Sequence, residues 1–144
     1  MSYVNPSDVA GIRFVLSLVY ICLSGIVLYW TQELSKQACA CSKSWKRDFL
    51  TWGHAISIAL RVAFLIFSEW EFDRMVMVGL SVFHVALMGI MLSYATDLER
   101  MKCECSEGWK RRVAFFWPVV YFSMIALAFL LAITIYLVAN KAKS

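Results

Sequence analysis

The chain has 144 residues, of which 61% are hydrophobic, and a formal net charge of +4. An ordinary soluble domain is about 45–50% apolar, and one of this length has too small a core to bury a larger apolar share. The mean hydropathy of +0.67 therefore excludes an ordinary soluble domain and predicts an integral membrane protein.

Four apolar runs follow one another along the chain, each close to the ~20 residues that a transmembrane helix needs. They are Phe14–Trp30, Phe49–Phe67, Met75–Tyr94 and Val113–Val138. A soluble four-helix bundle would carry polar residues on about half of each helix, and these runs do not. The sequence predicts an all-α integral membrane protein with four transmembrane helices in a single domain, residues 1–144.

The basic residues indicate how the predicted helices cross the membrane. Segments 31–48 and 95–112, which join the first helix to the second and the third to the fourth, carry most of the Lys and Arg. Connecting segments rich in Lys and Arg stay on the cytosolic side of a membrane. We therefore expect both segments in the cytosol and both chain termini on the opposite side.

Residues 25–47 and 89–111 are two copies of one pattern, 64 positions apart. The acidic positions Glu33 and Asp97 match in charge. Identical residues stand, in the first copy, at Gly25, Ile26, Leu28, Leu34, Cys39, Cys41, Ser42, Trp45, Lys46 and Arg47. Chance similarity between apolar segments would not preserve polar positions, so the chain is predicted to contain a duplication.

The duplicated unit is a helical hairpin, with repeat 1 at about residues 8–70 and repeat 2 at about 72–140. Two helices return the chain to its starting side, so both hairpins have the same orientation in the membrane. Gly25 and Gly89 occupy matching positions within predicted helices. We expect these glycines to allow close packing between helices.

Each copy ends in the frame C-x-C-S-x-x-W-K-R, which lies in the polar segment between two helices. We expect Ser42 and Ser106 to cap the returning helices, and the Trp three positions later to lie among lipid head groups. The basic pair after each Trp can meet anionic lipid or an acidic protein. The residues predicted to contact other proteins are Cys39, Cys41, Ser42, Trp45, Lys46, Arg47, Cys103, Cys105, Ser106, Trp109, Lys110 and Arg111.

The four frame cysteines leave three interpretations open. Four thiolates could bind zinc, although structural zinc sites favour C-x2–4-C spacing and neither segment contains a histidine. Disulfides could form within or between hairpins, although a reducing cytosol opposes them unless the protein matures in an oxidising assembly. The cysteines could also be packed or free thiols. We expect no metal or other cofactor, and Cys22 in the first helix is expected to be a packing residue.

Three ionisable residues, His54, Arg61 and His84, lie within predicted transmembrane helices. Such residues are costly in a membrane and raise the hypothesis of a proton or ion path. No Asp or Glu lies in the core of any predicted helix, so a carboxylate relay is missing. We therefore expect these side chains to form hydrogen bonds between helices or to meet a partner subunit.

The repeated frame with its flanking leucine, at Leu34–Asp48 and Leu98–Arg112, resembles one in small multi-span membrane proteins of large nucleocytoplasmic DNA viruses of algae and protists. With the adjoining helix ends, the resemblance covers about a third of the chain. It implies a minor capsid or inner-membrane component of the virion, embedded in an internal membrane derived from the endoplasmic reticulum. It supplies no catalytic residues, and it implies that viral assembly can bring its own thiol oxidation.

The sequence contains no nucleophile triad, phosphate-binding loop, haem motif or nucleic-acid-binding module. We therefore expect neither an enzyme nor a nucleic-acid-binding protein, and no small-molecule substrate. The preferred interpretation is a structural protein of the virion, with the bilayer and other capsid or membrane proteins as partners and the two loops facing the shell. The alternatives are a small transporter or channel, and an accessory subunit of a cellular membrane complex.

Overall fold

Four long helices and two short turns account for nearly all of the residues that the computed structural model describes, which are 6–37, 40–66 and 74–141. Helices α1 to α4 span Pro6–Lys36, Trp45–Ile66, Arg74–Arg100 and Trp109–Lys141, and two 3-10 turns span Ala40–Ser42 and Glu104–Ser106. Each helix contains a stretch long and apolar enough to cross a membrane. The predicted all-α class with four candidate spans is confirmed.

The helices extend beyond the predicted apolar runs, most of all at the end of the molecule that carries the two frames. Helices α1 and α3 continue past Leu34 and Leu98, as expected for polar extensions outside the apolar run. The end of α3 is fixed by two backbone hydrogen bonds, from Lys102 N–H to Glu99 C=O and from Cys103 N–H to Leu98 C=O. Lys102 has a φ of 49°, which is the left-handed conformation typical of this helix ending.

The returning helices begin later than the sequence predicted. Helices α2 and α4 start at Trp45 and Trp109, so Ser42 and Ser106 are too far upstream to cap them. Ser44 occupies the capping position of α2, and its backbone C=O accepts a hydrogen bond from Arg47 N–H at 3.1 Å. The prediction of Ser42 and Ser106 as helix caps is therefore wrong, because each serine is the last residue of a 3-10 turn and two further residues precede its helix.

Each helix packs against its hairpin partner and against one helix of the other hairpin: α1 contacts α2 and α4, and α3 contacts α2 and α4. Residues 64 positions apart meet in the middle of this arrangement. The ring centroids of Trp30 and Tyr94 lie 5.9 Å apart, and those of Tyr20 and His84 lie 5.0 Å apart. Contacts between equivalent residues place them beside an approximate two-fold axis that relates the hairpins, as in parallel repeats.

Among the residues that the structure describes, the packed core occupies the half of the bundle next to the two frames, which we call the loop half. The fully buried apolar side chains include Val27, Leu34, Leu50, Leu87, Met88, Met91 and Leu98. In the other half, called here the opposite half, α4 from Ser123 to Lys141 has its side chains almost entirely on the outer surface. The helices are therefore locked together near the frames and more loosely packed away from them.

One further prediction about packing is wrong. A Cβ atom at Gly25 or Gly89 would meet nothing within 4 Å, so neither glycine marks a close approach between helices. The close approach is at Gly53, where a Cβ atom would lie 2.5 Å from Leu87 Cδ1. Pro118 is a buried residue in the interior of α4, which begins at Trp109.

Candidate functional site

The two frames form one structure, which we call the loop layer: residues 40–47 and 101–111 with the adjoining ends of α1 and α3. A disulfide joins Cys41 of the first frame to Cys103 of the second, with their Cα atoms 6.0 Å apart. Cys105 is also disulfide-bonded, and its Sγ lies 3.6 Å from that of Cys41. Cys39 lies outside the described residues. The Cys41–Cys103 bond agrees with one of the three interpretations of the frame cysteines, a disulfide between hairpins, and it makes the two frames a single unit.

The sulfur geometry bears on the three interpretations of the frame cysteines. The Sγ atoms of Cys41, Cys103 and Cys105 all lie within 4.8 Å of one another, close enough to share a metal ion if they were thiolates. The disulfide leaves Cys41 and Cys103 without a thiolate to offer. Cys22 is a free cysteine on the outer surface of the bundle rather than a packing residue.

Two ion pairs reinforce the disulfide, and each joins one hairpin to the other. Lys46 Nζ lies 2.5 Å from a carboxylate oxygen of Asp97, and Lys110 forms the equivalent pair with Glu33. Shifting one pair by 64 positions produces the other. The signal for these pairs was present in the sequence, because the acidic positions match in charge between the repeats, but the sequence did not reveal which lysine each acid meets.

The two frame serines hold the turns together instead of capping helices. Ser42 is buried, and its backbone C=O accepts a hydrogen bond from the Tyr94 hydroxyl at 2.8 Å. Ser106 is also buried, and its hydroxyl donates to Cys103 C=O at 2.7 Å. The bond from Tyr94 crosses from α3 to the first frame. Sequence reasoning missed this residue, because a tyrosine near the end of an apolar run gives no sign of a loop partner.

The basic residues of the frames make contacts within the molecule. Arg47 pairs with its neighbour Asp48 at 3.1 Å, and Arg111 lies 3.5 Å from the Ser106 hydroxyl. The tryptophans are the outward-facing members of the frames. Trp45 is 64% exposed and Trp109 is 59% exposed, at the first residue of α2 and of α4.

The ionisable residues predicted inside the membrane separate into two environments. Arg61 lies with its guanidinium carbon 4.7 Å from the centre of the Tyr20 ring, and the Tyr20 hydroxyl shares a 3.1 Å hydrogen bond with His84 Nδ1. His54 is fully buried, and neither of its ring nitrogens has a hydrogen-bond partner within the described part of the chain. Trp117 lies between these groups, with its ring centroid 5.5 Å from Tyr20 and 5.8 Å from His54.

Comparison of the chain with protein family models, with curated proteins and with solved structures finds no match. The function of the chain must therefore be inferred from its own geometry. That geometry has two distinctive regions, the loop layer and the polar group around Arg61 in the opposite half.

Proposed function

We propose that the protein is a structural membrane component that docks other proteins onto the membrane through its loop layer. The observation that carries this proposal is the locking of two similar frames into one unit by the Cys41–Cys103 disulfide and two ion pairs between hairpins. A surface held in one conformation loses little entropy when a partner binds, which favours docking. Four spans anchor that surface to the bilayer.

The outward face of the loop layer has the composition of a protein contact. Trp45 and Trp109 are exposed, and tryptophan is among the residues that contribute most to protein interfaces. Exposed charged residues of both signs surround them, including Lys43, Lys102 and Glu107. A layer that served only to anchor the chain among lipid head groups would need the tryptophans and cations but not the exposed acidic residues.

The proposed setting is the internal membrane of a virion, with the loop layer on the cytosolic side and facing the capsid shell. The excess of Lys and Arg in the two connecting segments supports this orientation. The disulfide requires an oxidising system, because cytosolic thiols are normally kept reduced. The viral resemblance of the frames accounts for both features, since viral assembly with its own thiol oxidation allows disulfides on the cytosolic side.

Cross-linking mass spectrometry on the native membrane or particle tests this proposal. Lys43 and Lys102 are exposed in the loop layer and are the reactive sites, while Lys141 at the other end of α4 is the matched control. We expect links from Lys43 and Lys102 to capsid-shell proteins and none from Lys141. Links only to subunits of cellular membrane complexes, or equal links from all three lysines, would contradict the proposal.

A small transporter is the second candidate, and one observation favours it: Arg61 and His84 line a shared cavity of about 570 Å³. A transport path must continue from that cavity to the loop layer. The side chains of Trp30, Leu34, Tyr94 and Leu98 fill the space between them and are buried. The cavity therefore ends inside the bundle in this conformation, which favours binding over passage.

A further inference from the structure

A polar cavity of about 570 Å³ lies among the four helices in the opposite half of the bundle. This volume is within the range of about 300–1,000 Å³ that is usual for ligand pockets. All four helices contribute polar groups to its lining: Ser17, Tyr20, Ser57, Arg61, His84 and Tyr121. Helices in contact with lipid alone would not direct so many polar groups to one place, because each costs free energy when it leaves water.

The cavity carries a positive charge that the described part of the chain does not balance. Arg61 supplies this charge through its guanidinium group. Every Asp and Glu whose side chain the structure describes lies at the loop end of the molecule, and none is within ion-pair distance of Arg61. The position of Arg61, sixteen residues after Trp45, places it about 24 Å along α2. This depth is close to the membrane surface on the side away from the loop layer.

Neighbouring rings hold the Arg61 side chain in place. Its guanidinium rests on the Tyr20 ring, and the hydroxyl of that ring is hydrogen-bonded to His84. His84 in turn meets the Tyr121 ring edge-on, with centroids 5.0 Å apart. A guanidinium stacked in this way keeps its N–H groups available for an oxyanion, which it can bind with two parallel hydrogen bonds.

The rest of the cavity is apolar and suits a hydrocarbon chain. Leu16, Leu60, Phe64, Met77 and Phe83 belong to its lining. Leu16, Arg61 and Met77 are also exposed on the bundle surface, so the cavity opens to the surroundings of the helices. A ligand that satisfies the site therefore combines an oxyanion with an apolar chain, and it can enter from the bilayer.

We infer that this cavity binds the anionic head group of a lipid, with Arg61 contacting the oxyanion and an acyl chain lying on the apolar wall. The oxyanion is either the phosphate of an anionic phospholipid or the carboxylate of a fatty acid. Basic pockets between transmembrane helices are suited to anionic head groups, because charge attraction and burial of the chain act together. The site is independent of the loop layer and does not require the docking function proposed above.

Native mass spectrometry of the purified protein in a neutral detergent tests this inference. The ligands are phosphatidylglycerol, oleate, phosphatidylcholine and inorganic phosphate. We expect retention of phosphatidylglycerol or oleate, whichever source supplies the oxyanion, and at least about tenfold weaker binding of that ligand by Arg61→Gln, because a hydrogen bond to a charged group is lost. Arg61→Lys should recover part of the affinity, since the charge returns without the planar fork.

Arg112→Gln is the matched control, because Arg112 is exposed in the first turn of α4 near the loop layer and carries the same charge. It should bind the anionic lipid as the unmodified protein does. Thermal unfolding in the same detergent, with a midpoint close to that of the unmodified protein, reports that each variant is folded. Equal affinity for phosphatidylcholine, retention of inorganic phosphate alone, or equal losses in Arg61→Gln and Arg112→Gln would overturn the inference.

Discussion

The two halves of the bundle use the same duplicated sequence in different ways. In the loop half, contacts recur at an interval of 64 residues: Lys46 pairs with Asp97, and Lys110 pairs with Glu33. In the opposite half, equivalent positions carry different chemistry. Arg61 corresponds to Ile125 in the second repeat, so this pair of positions supplies the cavity with one arginine and not two. The repeated residues connect the hairpins, while the unrepeated ones create the polar cavity.

The largest expected effect concerns the covalent link between the hairpins. The Cys41–Cys103 disulfide closes a sequence separation of 62 residues. Its removal in Cys41→Ser/Cys103→Ser should lower the free energy of unfolding by up to about 4 kcal/mol, and by less if the disulfide of Cys105 also joins the hairpins or if the unfolded chain remains helical in detergent. Thermal unfolding in detergent measures this loss. Cys22→Ser is the control and should unfold like the unmodified protein, because Cys22 is free; identical unfolding of both variants would rule out a stabilising link.

The symmetry of the loop half predicts a second disulfide. Shifting the pair Cys41–Cys103 by 64 positions produces the pair Cys105–Cys39. Cys105 is disulfide-bonded in the structure, whereas Cys39 lies outside the described residues. We expect peptide mapping of unreduced protein, with free thiols blocked, to find Cys39 linked to Cys105. If Cys39 were found as a blocked free thiol, or if a disulfide lay within one frame, the disulfides would lack the symmetry that relates the two ion pairs.

Gly53 lies at a close approach between helices, whereas Gly25, which has a matching glycine in the second repeat, does not. Gly53→Ala should lower the free energy of unfolding by about 1 kcal/mol, because the added Cβ crowds the buried Leu87 and this cost of about 1–3 kcal/mol exceeds the gain in helix propensity. Gly25→Ala is the matched control. It should be neutral or should stabilise by up to about 1 kcal/mol, since nothing lies within 4 Å of its added Cβ.

The same thermal unfolding measurement decides between these outcomes. If both alanine variants were destabilised equally, the contact between α2 and α3 at Gly53 would not be tighter than the surroundings of Gly25.

The smallest expected effects are those of the two ion pairs. Lys46→Gln and Lys110→Gln should each lower the free energy of unfolding by about 0.2–1 kcal/mol, because the paired side chains are partly exposed. Double-mutant cycles with Asp97→Asn and Glu33→Gln measure the coupling in each pair. We expect similar coupling energies that fall with added salt. If one pair showed no coupling, the two ion pairs would be equivalent in geometry but not in energy.

Much of the fold could be predicted because its signals are local. Each apolar run is long enough to demand a helix, and each of the four helices contains one stretch that could cross a membrane. The wrong predictions concern interactions between elements. Ser42 matched a helix cap by composition, but it ends the 3-10 turn Ala40–Ser42, and α2 begins only at Trp45. Matching glycines suggested close packing, yet the approach between helices depends on which faces meet.

For the candidate sites too, the sequence identified single residues but not the contacts between helices. The sequence identified the frame residues and the intramembrane Arg61 and His84, because each is a polar group in an unusual setting. It did not reveal that Lys46 reaches Asp97 or that Tyr94 reaches the first frame. Pairings across helices depend on helix rotation and relative height, and neither quantity can be read from spacing along one chain.

Composition and periodicity were sufficient to establish four apolar helices and a duplicated polar frame, because the bilayer imposes helix length and polar positions rarely match by chance. The three-dimensional arrangement was needed to establish that the frames become one cross-linked layer, since Cys41 and Cys103 are distant in sequence and meet only when the hairpins dock. It was equally needed to bring Arg61, Tyr20 and His84 to one cavity. Each of these side chains lies on a different helix, and only packing brings them together.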